Sequence, residues 1–158
     1  MAENNGCLFA IVDLIRELLG QEDKDLPYES RKYLFTRAER SFYGVLGNIL
    51  DSGYVIFAKV RMSDVLKVRK GADNWQSHFN KIQSKHVDFL LCDSDRVRPV
   101  CAIELDDSSH RRAKRRKRDK DVDRFFRAAG LPLVRIPAQK SYNTKEVHAK
   151  LNDALGAE

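Results

Sequence analysis

A chain of 158 residues, 42% hydrophobic and 33% charged, holds one core of ordinary size and leaves little room for a second. Net charge is +6, but residues 111–121 carry eight of the 29 basic and two of the 23 acidic residues, leaving 21 against 21 elsewhere. The three cysteines have no zinc-site spacing and no evident partners, and no uninterrupted apolar run is long enough to span a bilayer, which argues for a reduced, cytoplasmic protein.

Leu8, Ile11, Val12, Ile15, Leu18 and Leu19 recur at helical spacing before Gly20. Residues 1–25 therefore read as an N-terminal amphipathic helix and linker, able to dock on the domain or on a protein partner, and residues 26–158 as the domain. Thr36 and Glu39 match a capping box, opening a helix to about Leu50 with Phe42, Tyr43, Val45, Leu46, Ile49 and Leu50 on its buried face. Tyr54 to Val60 has strand composition, Ser63 is placed to cap a short turn, and Ala72 to Ser84 reads as a helix through Trp75, Phe79 and Ile82. Val87 to Asp93 and Val100 to Asp106 flank a polar turn and form a hairpin whose alternation puts Cys92 and Cys101 on opposite faces. A long helix from about Arg111 to Ala129 ends at Gly130, a strand runs from Leu133 to Ile136, and Lys145 to Leu155 closes the chain as a helix. The strand, crossover helix and strand at the end imply one parallel pair. The fold class is thus α/β, a mixed sheet with helices on both faces.

The hairpin carries acids where a plain core strand carries Val or Leu. Glu104 and Asp106 share a face, and the register can set Asp88 opposite Glu104. Clustered carboxylates resist full ionisation unless a cation neutralises them, and oxygen ligands suit Mg²⁺ or Mn²⁺. The duller alternative has Asp106 beginning a turn, Asp88 capping a strand end and Glu104 reaching a basic residue. The basic run, Arg111, Arg112, Lys114, Arg115, Arg116, Lys117, Arg118 and Lys120, is either a solvated helix face or a phosphate-backbone contact. Too few acids stand at helical spacing to pair it, which favours nucleic acid as partner. No stacked-aromatic pattern marks a reader of single strands.

Four blocks in order carry a resemblance: Tyr33 to Phe42 (YLFTRAERSF), Lys85 to Phe89 (KHVDF), Ile103 to His110 (IELDDSSH) and Ala129 to Ile136 (AGLPLVRI). Together they resemble domain-of-unknown-function family 2726 of the PD-(D/E)XK superfamily, near the very-short-patch-repair endonuclease type. The resemblance implies a restriction-endonuclease-like fold and a Mg²⁺-dependent (or Mn²⁺-dependent) nuclease hydrolysing phosphodiester bonds, with DNA the expected substrate. It implies Asp88, Glu104, Asp106 and Glu39 as metal ligands. Where the superfamily has Lys after Glu-x, this chain has Asp106, so the assisting group must come from elsewhere: His110, or a cation from Lys85, Lys117 or Lys120. Glu39 then has two expected jobs, helix cap and metal ligand, that one carboxylate does not easily combine. Two other functions fit the same residues: a nucleic-acid-binding or regulatory module without turnover, and a protein-interaction domain with structural carboxylates.

Overall fold

A computed structural model of the chain describes residues 10–15, 26–106 and 113–156, with side chains from 120 onward in the last stretch. The chain divides into two compact units, Met1–Leu34 and Phe35–Glu158. In the first, residues 10–15 are helical, inside the expected span; Leu8, Leu18, Leu19 and Gly20 lie outside the described residues. No described helix is long and apolar enough to cross a membrane.

The second unit is α/β. It runs α1 (Arg37–Ile49), β1 (Tyr54–Arg61), α2 (Met62–Val65), α3 (Trp75–Ile82), β2 (His86–Asp93), β3 (Pro99–Asp106), α4 (Ala113–Ala129), β4 (Leu133–Pro137) and α5 (Thr144–Leu155). Four strands form one sheet in the order β1-β2-β3-β4. The β1–β2 and β2–β3 pairs are antiparallel and β3–β4 is parallel, so the sheet is mixed, as the crossover helix required.

Each sheet face holds its own core. On one, Phe42 and Leu46 of α1 and Val147 and Leu151 of α5 pack on Phe89, Leu91, Cys101, Ile103, Val134 and Ile136. On the other, Met62, Ile82, Val122 and Phe126 from α2, α3 and α4 pack on Leu90, Cys92 and Ala102. Burying a side chain such as Phe42 or Phe126, both fully inaccessible, is worth about 1.5–3 kcal/mol. Helices therefore cover both faces, and the free thiols of Cys92 and Cys101 belong to opposite cores.

Local chemistry sets the ends of these elements. The capping box at Thr36 forms as the sequence predicts. Gly130, at φ 68, closes α4, and Leu131 N–H reaches back to the Phe126 carbonyl. Two starts differ from expectation. The short turn begins one residue before Ser63, after an uncapped Arg61, and α3 starts at Trp75 because Asn74 adopts a left-handed conformation (φ 54) that breaks any helix from Ala72.

Candidate functional site

The hairpin register decides which charges meet. Phe89 opposes Ile103 and Leu90 opposes Ala102, so the next step sets Asp88 opposite Glu104. Glu104 in turn pairs with Arg135 across the parallel β3–β4 ladder. On the other side, the β1–β2 ladder is interrupted between Ala58–Phe89 and Val60–Val87, the step at which Lys59 faces Asp88. One level of the sheet thus reads Lys59, Asp88, Glu104, Arg135 across all four strands: two acids in the middle, one base at each end.

Lys59 sits at φ 55, left-handed backbone inside a strand. A side-chain-bearing residue there costs of order 1–3 kcal/mol, and such strain persists where surrounding interactions over-determine it. Those interactions are visible. The Lys59 ammonium lies 2.5 Å from Glu39 Oε1 and 3.2 Å from Asp88 Oδ1. Asp88 Oδ2 accepts from Leu105 N–H at 2.9 Å, which ties β2 to β3 beside Glu104.

Glu39 is the one charged residue in the buried class among the described residues. One of the two jobs set in competition by the sequence, the helix cap, takes one oxygen, and a lysine rather than a metal stands at the other. Oε2 accepts from Thr36 N–H at 2.9 Å and completes the cap, while Oε1 receives Lys59. Burial pushes the Glu39 carboxyl up, but the Lys59 bond, the Thr36 bonds and the Lys59 charge outweigh it, and its pKa falls below the ordinary 4.5. Lys59 mirrors this: burial pulls it down, Glu39 and Asp88 pull it up, and the net is above 10.5. Glu39 and Lys59 are thus both charged near neutrality, in a tight ion triad with Asp88.

The other flank is built around Arg135. It donates from Nη1 to Asp106 and from Nε to Asp123 of α4, both at 2.8 Å. Burial lowers its pKa, and the Asp123 bond with the charges of Asp106, Asp123 and Glu104 more than restores it.

The expected site residues are therefore divided. Glu39 and Asp88 meet on Lys59, Glu104 stands between Asp88 and Arg135 by register, and Asp106 is held by Arg135. Lys85, expected to bring a cation, donates instead to the Lys81 carbonyl and lies over the Phe125 ring. His110, Arg111 and Arg112 lie outside the described residues; Lys114, Arg115, Arg116, Lys117 and Arg118 fall on α4 in the stretch without described side chains, and Lys120 is exposed. Lys59 and Arg135 are the residues that sequence reasoning missed. Lys59 occupies an ordinary-looking position in an alternating strand; its only signal was the missing lysine after Glu104.

A divalent metal is implied by the resemblance, and the donor chemistry gives a measured fit. No group of three or more His, Cys, Asp or Glu residues is arranged to hold an ion among the described residues. Asp88 and Glu104 stand opposite each other by register, and Mg²⁺ is commonly held by one or two carboxylates, with waters and substrate phosphate completing its shell. The pair fits an ion held that way, with Asp88 sharing Lys59 with Glu39 and Asp106 held by Arg135.

No curated protein and no solved structure matches the chain. The family model described as "Protein of unknown function (DUF2726)" matches residues 31–155, a span that takes in Glu39, Lys59, Asp88, Glu104 and Arg135, and the chain belongs to that family.

Proposed function

We propose that the domain is a restriction-endonuclease-like nuclease that hydrolyses phosphodiester bonds in nucleic acid, with DNA as the substrate. The observation that carries this reading is the row Lys59, Asp88, Glu104 on three neighbouring strands. The row restores, from β1, the lysine that the Glu-x-Asp sequence of β3 lacks. A Mg²⁺ or Mn²⁺ ion, when bound, would polarise the phosphoryl oxygen and supply an activated water; Asp88 and Glu104 are the residues that would hold it. Lys59 stabilises negative charge developing on the phosphorane, and its strained backbone and two carboxylate partners fix the ammonium in advance. Arg135 holds Asp106 and stands beside Glu104, orienting the acidic end of β3. His110 and the basic stretch from Arg111 to Lys120 follow directly in sequence, where they serve proton transfer and the phosphate backbone. The same reading sets the protein in a reducing, cytoplasmic compartment, supported by the free thiols of Cys92 and Cys101.

Incubation with plasmid, single-stranded DNA and RNA in millimolar Mg²⁺ or Mn²⁺ tests it. The parent cleaves DNA, while Glu104→Ala and Lys59→Met lose at least about 100-fold, the usual scale for removing a charge-stabilising group. Equal background in all three proteins retires the enzyme.

One observation favours a second reading, a binding module without turnover. Lys59 already pairs with both Glu39 and Asp88, which lessens the demand for an ion there. Under that reading the two variants bind DNA as the parent does, and Mg²⁺ leaves the melting temperature unchanged.

A further inference from the structure

The connection between β1 and β2 contains a second feature of a recognition surface. Ser63, Leu66, Lys67, Val68, Lys70, Trp75 and Phe79 are among the residues that line a cavity of about 480 Å³, within the size range of small-ligand clefts. Trp75 and Phe79, four apart on α3, stack with centroids 5.0 Å apart and planes 10° from parallel. The pair is not sealed into the core: Trp75 is 43% exposed, and Ile82 is the buried residue of α3. A large flat ring left open at a cavity gives up burial worth several tenths of its transfer energy.

Charge identifies the occupant. Residues 61–85 hold six basic and two acidic residues, an excess hidden in the whole-chain balance by acids elsewhere. Arg61 binds Asp64 through two 3.0 Å bonds, removing the one acid that lines the cavity, and Lys67 and Lys70 are exposed beside the rings. An aromatic platform edged by ammonium groups complements a planar base attached to phosphates. Topology sets it at the working end of the sheet. The β1–β2 connection leaves the β1 end that carries Lys59 and enters the β2 end that carries Asp88.

We propose that this cavity docks an unpaired nucleobase of single-stranded nucleic acid, with the base on the Trp75–Phe79 platform and the flanking phosphates on Lys67 and Lys70. The proposal rests on the nucleic-acid reading above and narrows it to substrates that present unpaired bases, such as single strands, junctions or frayed ends.

Trp75 is the sole tryptophan of the chain, so its emission reports on the cavity directly. Titration of the full chain, without divalent metal, with oligo(dT) and with oligo(rU) is expected to quench that emission by about half or more. Blunt duplex DNA, inorganic polyphosphate and a tyrosine-containing acidic peptide are expected to leave it nearly unchanged. By anisotropy of labelled oligo(dT), Trp75→Leu weakens binding about tenfold and Trp75→Phe restores it to within about threefold, the scale of one stacked base. Quenching by both oligonucleotides makes the site indifferent to the sugar; quenching by one assigns DNA or RNA. Quenching by polyphosphate or duplex as strong as by single strands overturns the proposal, as does a preference for the acidic peptide. Because the quench is read on the unmutated protein, a poorly folding variant does not block the test. Cleavage and quenching measured side by side on the parent separate the two claims: quenching without cleavage sinks the nuclease and keeps the platform, and cleavage without quenching does the reverse.

Discussion

Lys59 concentrates the energetics of the site in one residue. Its ammonium stands between two carboxylates whose side chains are only 12% and 15% exposed, so removing it leaves like charges in a partly desolvated place. Lys59→Met should cost about 2 kcal/mol in urea unfolding, below the about 3–5 kcal/mol of a fully buried pair because the lysine itself is 27% exposed. The pH dependence follows from the direction of each shift. Glu39 has its folded pKa below 4.5, so its contribution is present above 4.5 and is lost as pH falls through the folded value. Lys59 has its folded pKa above 10.5, so its contribution is complete below 10.5 and is lost as pH rises through the folded value. Stability from the Glu39–Lys59 pair should therefore be level from about pH 5 to 10 and fall at both edges. Urea midpoints of the parent and of Glu39→Gln, measured from pH 3 to 7, should converge below 4.5 and separate above it; a constant gap would show that Glu39 acts only as a cap.

At the scale of the element, the β2–β3 hairpin has to hold its register, because a slip of one residue separates Asp88 from Glu104 and turns both to the other face. The turn is held at its base. Asp93 exchanges backbone bonds with Val97 and Arg98, and its carboxylate accepts from Arg96 N–H at 2.7 Å and from Arg98 Nε at 2.6 Å. Those bonds hold the Asp93 pKa below the usual carboxylate value against a smaller desolvation effect. An irregularity between Leu91 and Cys92 absorbs the mismatch between turn and ladder. The weak point is Val97, a β-branched residue at φ 56 with half its surface exposed. Left-handed backbone costs a residue with Cβ about 1–2 kcal/mol, whereas glycine adopts it freely and gives back part of the gain through the unfolded chain. Val97→Gly should stabilise the domain by about 1 kcal/mol, read as a rise of about 3 °C in Tm, with cleavage unchanged. A drop in Tm would mean that the Val97 side chain contributes more than its exposure indicates.

Across the whole molecule, what the sequence made legible follows the reach of each physical rule. Period-two alternation and the turn residues revealed the hairpin, alternation set Cys92 apart from Cys101, and a pairing of Asp88 with Glu104 was open to the hairpin register. The partners of those acids were not legible, since Lys59 and Arg135 come from strands 29 residues before Asp88 and 31 after Glu104, joined only by folding. Trp75 and Phe79 read only as apolar residues at helical spacing, because i, i+4 spacing does not distinguish a core from an open platform. The sheet gathers these pieces at one end: β1, β3 and β4 finish there, β2 starts there, and the chain leaves β3 there for α4. The helix divides along its length, with Val122 and Phe126 buried in its second half and the run from Lys114 to Arg118 in its first, so its basic turns lie toward the end of the sheet that carries the acidic pair. Under the proposed function a nucleic-acid backbone would follow that half of α4, and the acids of the row would otherwise repel it. Each phosphate neutralised there releases condensed counterions, which makes affinity fall with salt at a slope of about 0.9 per contact on duplex DNA. Replacing Arg115, Arg116 and Lys117 with Ala should therefore weaken duplex binding at low salt and flatten the slope of log K against log salt by about 2 to 3. The Trp75→Leu protein should keep the parent slope while losing affinity for single strands alone. A triple variant with an unchanged slope would remove α4 from the interface and leave the segment between β1 and β2 as the surface that meets the backbone.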